Sequence, residues 1–219
     1  MRITVGSTPV DLLPERAAFL PESRTLVVAD LHLGKSATFR ARGLAVPEGS
    51  TADDLGRLSK LLRTTKASQL VIAGDLIHSH DSLSPAVVAL FRGWLAEHHL
   101  PVILTEGNHD RRTSLAGFRF PLEVRTDHVF GSLLVTHDPA DLMAGQSGMA
   151  GHLHPGIRIP ESRRSSLRFP AFVLRGETHL ILPAFSSFTG LQIVKPDPSD
   201  RFFVPLREGL TEIPASLAR

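Results

Sequence analysis

The chain has 219 residues, 42% hydrophobic and 21% charged, enough for one substantial core and too apolar for wholesale disorder. It has no cysteine, which excludes disulfides and thiolate metal sites and is compatible with a reducing compartment. A formal charge of +2 is too small to argue nucleic-acid binding, and the basic excess is local: Arg111-Arg112, then Arg158, Arg163, Arg164 and Arg168.

Taken in order, residues 1–20 alternate short β-type pieces with Pro9 and Pro14, predicting short edge strands. Gly6, Pro9 and Asp11 interrupt any signal-peptide apolar region, and no apolar run approaches the roughly 20 residues that span a bilayer. No membrane association and a cytoplasmic location are therefore expected. Arg24-Thr25-Leu26-Val27-Val28-Ala29 reads as a buried central strand ending in Asp30-Leu31-His32-Leu33-Gly34-Lys35. Residues 36–50 read as a connection holding Arg40, Arg42 and Gly43. A helix then opens at Ser50-Thr51-Ala52-Asp53 and buries Leu55, Leu58, Leu61 and Leu62.

Leu70-Val71-Ile72-Ala73 is the next strand, ending in Gly74-Asp75. Ser84-Pro85 starts a second helix that closes near His98-His99. The strand Pro101-Val102-Ile103-Leu104 follows and runs into Thr105-Glu106-Gly107-Asn108-His109-Asp110. Alternating strands and helices over 25–110 predict βαβ units and a largely parallel sheet, with ligands gathered at the strands' carboxyl ends. Beyond residue 112 hairpins take over, about Gly131 and about Arg175-Gly176-Glu177. Residues 140–150 read as a glycine-rich loop, and 195–219, with four prolines, as a short strand and a loose tail. One α/β domain spanning 1–219 is expected, with a motif core at 25–155.

The strand ends present Asp30 and His32, then Asp75, then Asn108 and His109, then His137, then His152 and His154. Residues two apart in an extended segment share a face, so each Asp/His or His/His pair could reach one point. Carboxylate, imidazole and amide oxygen without sulfur suit Mn²⁺, Fe²⁺ or Zn²⁺. Seven ligands exceed one ion's needs and suit two ions sharing a carboxylate, the arrangement that clamps both oxygens of a phosphoryl displacement.

The ordered series DLH, GD, GNHD, H and GHLH over residues 30–154 resembles the calcineurin-like metallophosphoesterases. The resemblance implies a four-layer α/β sandwich, two mixed β-sheets flanked by helices. It also implies Asp30, His32 and His154 on one ion, Asp75 bridging, and Asn108, His137 and His152 on the other. His109 would be the general acid and Asp110 the residue that orients it. Within that superfamily DLHLGK, GDxxHS, THDP and GHLHP are similar to the bacterial ligase-associated DNA-damage-response endonucleases. That implies phosphodiester hydrolysis in single-stranded DNA or RNA by a metal-bridging hydroxide, in a repair cluster with a DNA ligase and a helicase. Mn²⁺ is the first expectation, with Fe²⁺ or Zn²⁺ as alternatives.

Lys35, Arg111 and Arg112 are placed to meet substrate phosphate, although each also reads as a solvated loop residue. His78 reads equally as a supporting partner of Asp75 or as a surface histidine. With aromatics at 6% and no tyrosine, no stacking platform is evident. A small-molecule phosphodiesterase or phosphatase is the alternative activity. A non-enzymatic scaffold is disfavoured because no ligand is missing.

Overall fold

The computed structural model describes residues 1–41, 43, 50–113, 115–161 and 165–218. An antiparallel meander of Arg2–Val5 (β1), Thr8–Leu13 (β2) and Ala17–Leu20 (β3) leads to Thr25–Val28 (β4). Lys35–Ala41 (α1), Ser50–Thr65 (α2), Gln69–Ala73 (β5), Pro85–His98 (α3), Val102–Thr105 (β6), Asn108–Thr113 (α4) and Glu123–Arg125 (β7) follow. The first sheet runs in chain order from β1 to β7, and β4 to β7 are parallel.

The second half supplies Asp127–Phe130 (β8), Leu133–Thr136 (β9), Ser147–Ala150 (β10), Pro155–Pro160 (β11) and Ser166–Pro170 (β12). Phe172–Arg175 (β13), His179–Ile181 (β14), Gln192–Ile193 (β15), Arg201–Leu206 (β16) and Gly209–Ile213 (β17) complete it. Among the described residues the second sheet is ordered β17-β16-β13-β14-β10-β9-β8, and a three-stranded sheet is ordered β12-β11-β15.

Period-two alternation decides the layers. In β4 and β5, Leu26, Val28, Leu70 and Ile72 face the leucines of α2 and Phe91, Trp94 and Leu95 of α3. Their neighbours Val27, Ala29, Val71 and Ala73 face the other way, against Val135, Met149, Phe172, Leu174, Leu180 and Phe203 of the second sheet. Val173, Ile181, Phe202 and Val204 point out of that sheet and are covered by Ile157 of β11 and by Val194. Two mixed sheets thus pack face to face with helices flanking the first, as expected for the four-layer sandwich. The small three-stranded sheet supplies cover on the far side.

Both helix ends of α3 follow local chemistry. Ser84 Oγ accepts from the Val87 amide at 3.4 Å, Pro85 takes the first turn, and His99 closes the helix at φ 48°. Trp94 Nε1 donates to Ser59 Oγ at 2.7 Å, which fixes α3 against α2.

Three expectations are corrected. Residues 36–41, read as connection, are helical within Lys35–Ala41; Arg42 and residues 44–49 of that stretch lie outside the described residues. Ser147–Ala150, read as loop, is a central strand parallel to both β9 and β14. Its glycine is a packing requirement, since a Cβ on Gly148 would run into the Leu142 side chain and approach the Leu134 carbonyl. The presumed tail holds β16 and β17, and Phe202, Phe203 and Val204 are core residues. Pro205 is tolerated because pairing of β16 with β13 stops at Phe203, so the proline nitrogen faces no partner on that side.

Candidate metal centre

The sheets bring the polar clusters to one end of the sandwich. β4, β5 and β6 stop in register (Val28 opposite Ile72, Ile72 opposite Leu104), and their following loops carry Asp30 and His32, Asp75, and Asn108 and His109. The second sheet contributes His137 after β9, and His152 and His154 after β10. The loops are laced together by backbone bonds: Asp30 N–H to Gly74 O at 3.1 Å, His32 N–H to Asp75 O at 2.9 Å, and Gly151 N–H to His137 O at 3.0 Å.

The ligand-bearing turns are not extended, as simple alternation had predicted. Asp30 (φ 54°), His32 (φ 47°), Asp75 (φ 48°), His152 (φ 68°) and His154 (φ 45°) all occupy the left-handed region. For a side chain with a Cβ this costs about 1–2 kcal/mol per residue, tolerated where the surrounding structure over-determines the turn. Asp-Leu-His and His-Leu-His are thus two copies of one device. A left-handed residue on each side of a leucine turns both polar side chains inward.

Glycine allows the close approach. A Cβ on Gly74 would land on the His137 ring, one on Gly107 would land on the Asp75 carboxylate, and one on Gly151 would crowd Ala29 and Asp30.

Two ligand groups result. Asp30, His32 and His154 each offer an atom within 4.8 Å of the others, and so do Asp75, His137 and His152. In the first, His32 Nε2 lies 3.1 Å from His154 Nε2, and His154 Nε2 lies 3.6 Å from Asp30 Oδ2. In the second, His137 Nε2 lies 3.0 Å from both His152 Nδ1 and Asn108 Oδ1 and 3.6 Å from Asp75 Oδ1. Asn108 thereby joins the second group. Such spacings are those between neighbouring ligands of an ion about 2.0–2.2 Å from each. His32 suits this role: burial, followed by the Lys35 charge, holds it well below the usual imidazole range, leaving a neutral ring with a lone pair to give. Nitrogen and oxygen donors, two of them buried carboxylates, fit divalent ions.

His109 stands beside both groups with Nε2 3.9 Å from Asp75 Oδ2. Its Nδ1 is 2.6 Å from the His78 carbonyl oxygen, which can only accept, so Nδ1 carries a proton and Nε2 is the working nitrogen. This corrects the expected role of Asp110. The Asp110 carboxylate is fully buried and accepts instead from the amides of Leu76 (3.3 Å), Ile77 (3.1 Å) and Gly107 (3.0 Å). Burial outweighs those donors and pushes its carboxyl up to about 6. Asp110 therefore ties the Asp75 loop to the Asn108 loop and leaves His109 to His78.

Asp110→Ala strands three buried amide donors, at about 1–3 kcal/mol apiece. A destabilisation of about 3 kcal/mol or more is expected in urea unfolding, whereas His109→Ala leaves the midpoint nearly unchanged.

The remaining sequence candidates divide. Lys35 is half-buried; burial lowers its basicity while the carboxylates of Asp30 and Asp75 oppose the shift, which places its ammonium in their field. Arg111 and Arg112 are exposed on α4, and Arg111 donates to the Glu106 carbonyl at 3.1 Å. Arg163 and Arg164 lie outside the described residues. Arg158 and Arg168 are exposed and face each other directly across the β11–β12 pair. The His78 carbonyl was not predicted, because a backbone oxygen leaves no residue signal.

A calcineurin-like phosphoesterase family model matches residues 23–164. Among solved structures, the chain is similar to the Pseudomonas putida nuclease MPE, at 31% identity and a TM-score of 0.83, over 97% of this chain and 99% of that one. A second similarity is to YfcE, a phosphoesterase from E. coli, at 17% identity and a TM-score of 0.42, over 87% of this chain and 92% of that one. Comparison with curated protein sequences gives no match.

Proposed function

The chain belongs to the calcineurin-like phosphoesterase family, and from that premise we propose that it hydrolyses phosphodiester bonds in single-stranded DNA or RNA with two divalent ions. The observation that carries the nucleic-acid substrate is the likeness to a nuclease at 31% identity along nearly the whole of both chains. We assign Asp30, His32 and His154 to one ion and Asn108, His137 and His152 to the other, with Asp75 shared. Mn²⁺ is the first choice and Fe²⁺ or Zn²⁺ the alternatives.

When bound, such a pair of ions lowers the pKa of water and offsets charge on phosphoryl oxygens. The side chains do the rest. The imidazolium of His109, anchored through Nδ1–H to the His78 carbonyl, holds its second proton at Nε2 and gives it to the departing oxygen. Lys35, half-buried and within the field of the two carboxylates, adds positive charge toward a phosphate diester.

Arg158 and Arg168 support a polymeric substrate. Like charges directly opposite on a sheet destabilise it, and a strand of phosphates would relieve that repulsion. With Arg111 and Arg112 they form the proposed backbone contacts. Losing one phosphate contact flattens the salt dependence for a single strand by about 0.7 in logarithmic slope. Arg158→Ala is expected to show that change in binding titrations, with weakening uniform across sequences.

A place in DNA repair beside a DNA ligase and a helicase, on the motif resemblance, completes the reading, with a cytoplasmic location and a single domain over 1–219 as read from the sequence. Incubation of labelled single-stranded DNA and RNA with the protein and Mn²⁺, read on a denaturing gel, tests it. Internal cleavage is expected. Hydrolysis of a small synthetic diester with both strands intact would place the activity on small molecules instead.

A further inference from the structure

We infer that an aromatic wall beside the metal centre, built from His78, Phe39 and Phe188, stacks an unpaired base of the strand being cut. The inference rests on the nuclease reading and narrows it to strands whose bases are free to leave their neighbours. The wall begins at the reactive histidine. The His78 ring stacks on His109 with centroids 5.2 Å apart and planes 27° apart, and lies 5.5 Å from the ring of His32. Phe39 continues it 6.2 Å beyond His78 at 30°, and Phe188 closes it edge-on, 5.4 Å from Phe39 at 82°.

These rings are more exposed than the aromatics of the core. Phe91, Phe172, Phe185, Phe202 and Phe203 are fully buried in the core. His78, Phe39 and Phe188 are each only partly buried. They are also held firmly relative to the metal ligands. Phe39 lies on α1, which starts three residues after His32, and a Cβ on Gly34 would strike the Ser82 backbone, so the helix entry is tightly seated. The loop bearing Phe188 is hung from the first ligand by Phe185 N–H to Ala29 O at 2.8 Å and Ser186 N–H to Asp30 O at 3.4 Å. Asp54 of α2 accepts from the Ser187 amide and hydroxyl, which fixes the loop's far side.

Rings fixed in this way lose little freedom when a base arrives, and every base has a π-face to offer. A diester seated at the two ion groups with its leaving oxygen at His109 puts an adjoining base alongside His78 and Phe39. A base still paired and stacked in a duplex could not reach there without being flipped out, so the wall selects single-stranded or frayed nucleic acid.

The test compares a single-stranded oligodeoxynucleotide with the same strand in which the residues flanking the cleaved bond are abasic. Phe39→Leu keeps apolar volume but has no π-face, and Phe39→Tyr keeps the ring. The wild type is expected to show a KM about tenfold lower for the base-bearing strand. Phe39→Leu and Phe188→Leu should lose that difference by raising KM on the base-bearing strand alone, with kcat and metal content unchanged, while Phe39→Tyr retains it. A Leu variant that keeps the wild-type preference, or one that loses equally on both strands, would overturn the platform while leaving the nuclease reading intact. Failure of the wild type to cut either strand would overturn both.

Discussion

Asp75→Asn is expected to reduce strand cleavage to background and to strip metal from both ion groups, although the substitution changes one atom. Asp75 stands at the crossing of every loop in the centre. Its Oδ1 is 3.6 Å from His137 Nε2 and accepts from the His109 amide at 3.0 Å, and its own backbone oxygen receives the His32 amide. Burial raises its carboxyl and His137 opposes that shift, so two bound cations would hold it ionised. An amide in its place offers one neutral oxygen and turns an N–H₂ toward a cation. The loss should exceed the about 10²–10⁴-fold that a general acid alone is worth. Elemental analysis beside the gel assay checks both halves. Full metal content with lost activity would reassign Asp75 from ion binding to substrate contact.

His109→Ala is expected to separate chemistry from metal binding. The ring belongs to neither ion group, and its anchor is a backbone carbonyl, so removing it leaves the ligands in place. Turnover of a nucleic-acid strand should fall about 10²–10⁴-fold, because a sugar hydroxyl leaves poorly without a proton. The same variant should lose far less on a diester whose leaving group is p-nitrophenolate, which departs as an anion unaided. Equal losses on both substrates would mean that His109 stabilises the phosphoryl group rather than protonating the leaving oxygen.

Much of the fold was legible because its strands follow simple alternation. Leu26 and Val28 face the helices while Val27 and Ala29 face the second sheet, and that periodicity is written in the sequence. The ends of those strands, where apolar runs give way to Asp, His and Asn, were equally plain. Features that depend on tertiary context were hidden. Ser147–Ala150 has a loop composition and becomes a central strand because β9 and β14 bond it on both sides. The resemblance implied that Asp110 orients His109, yet the first turn of α4 points its carboxylate at the Leu76 and Ile77 amides. The convergence of Asp30 with His32 was foreseen for the wrong reason, since left-handed backbone angles, which Asp and His adopt more readily than most residues with a Cβ, do what alternation was expected to do. The aromatic wall went unseen because Phe39, His78 and Phe188 are scattered along the chain and meet only through α1 and the loop after β14.

Metal stoichiometry tests the two-ion centre most directly. Wild-type protein, His32→Ala and His152→Ala would be dialysed to equilibrium against Mn²⁺ and analysed for bound metal. The wild type should hold two ions per chain and each variant one, because His32 and His152 belong to different ligand groups. A wild type that saturates at a single ion, or variants that both retain two, would contradict the division of these side chains into two sites.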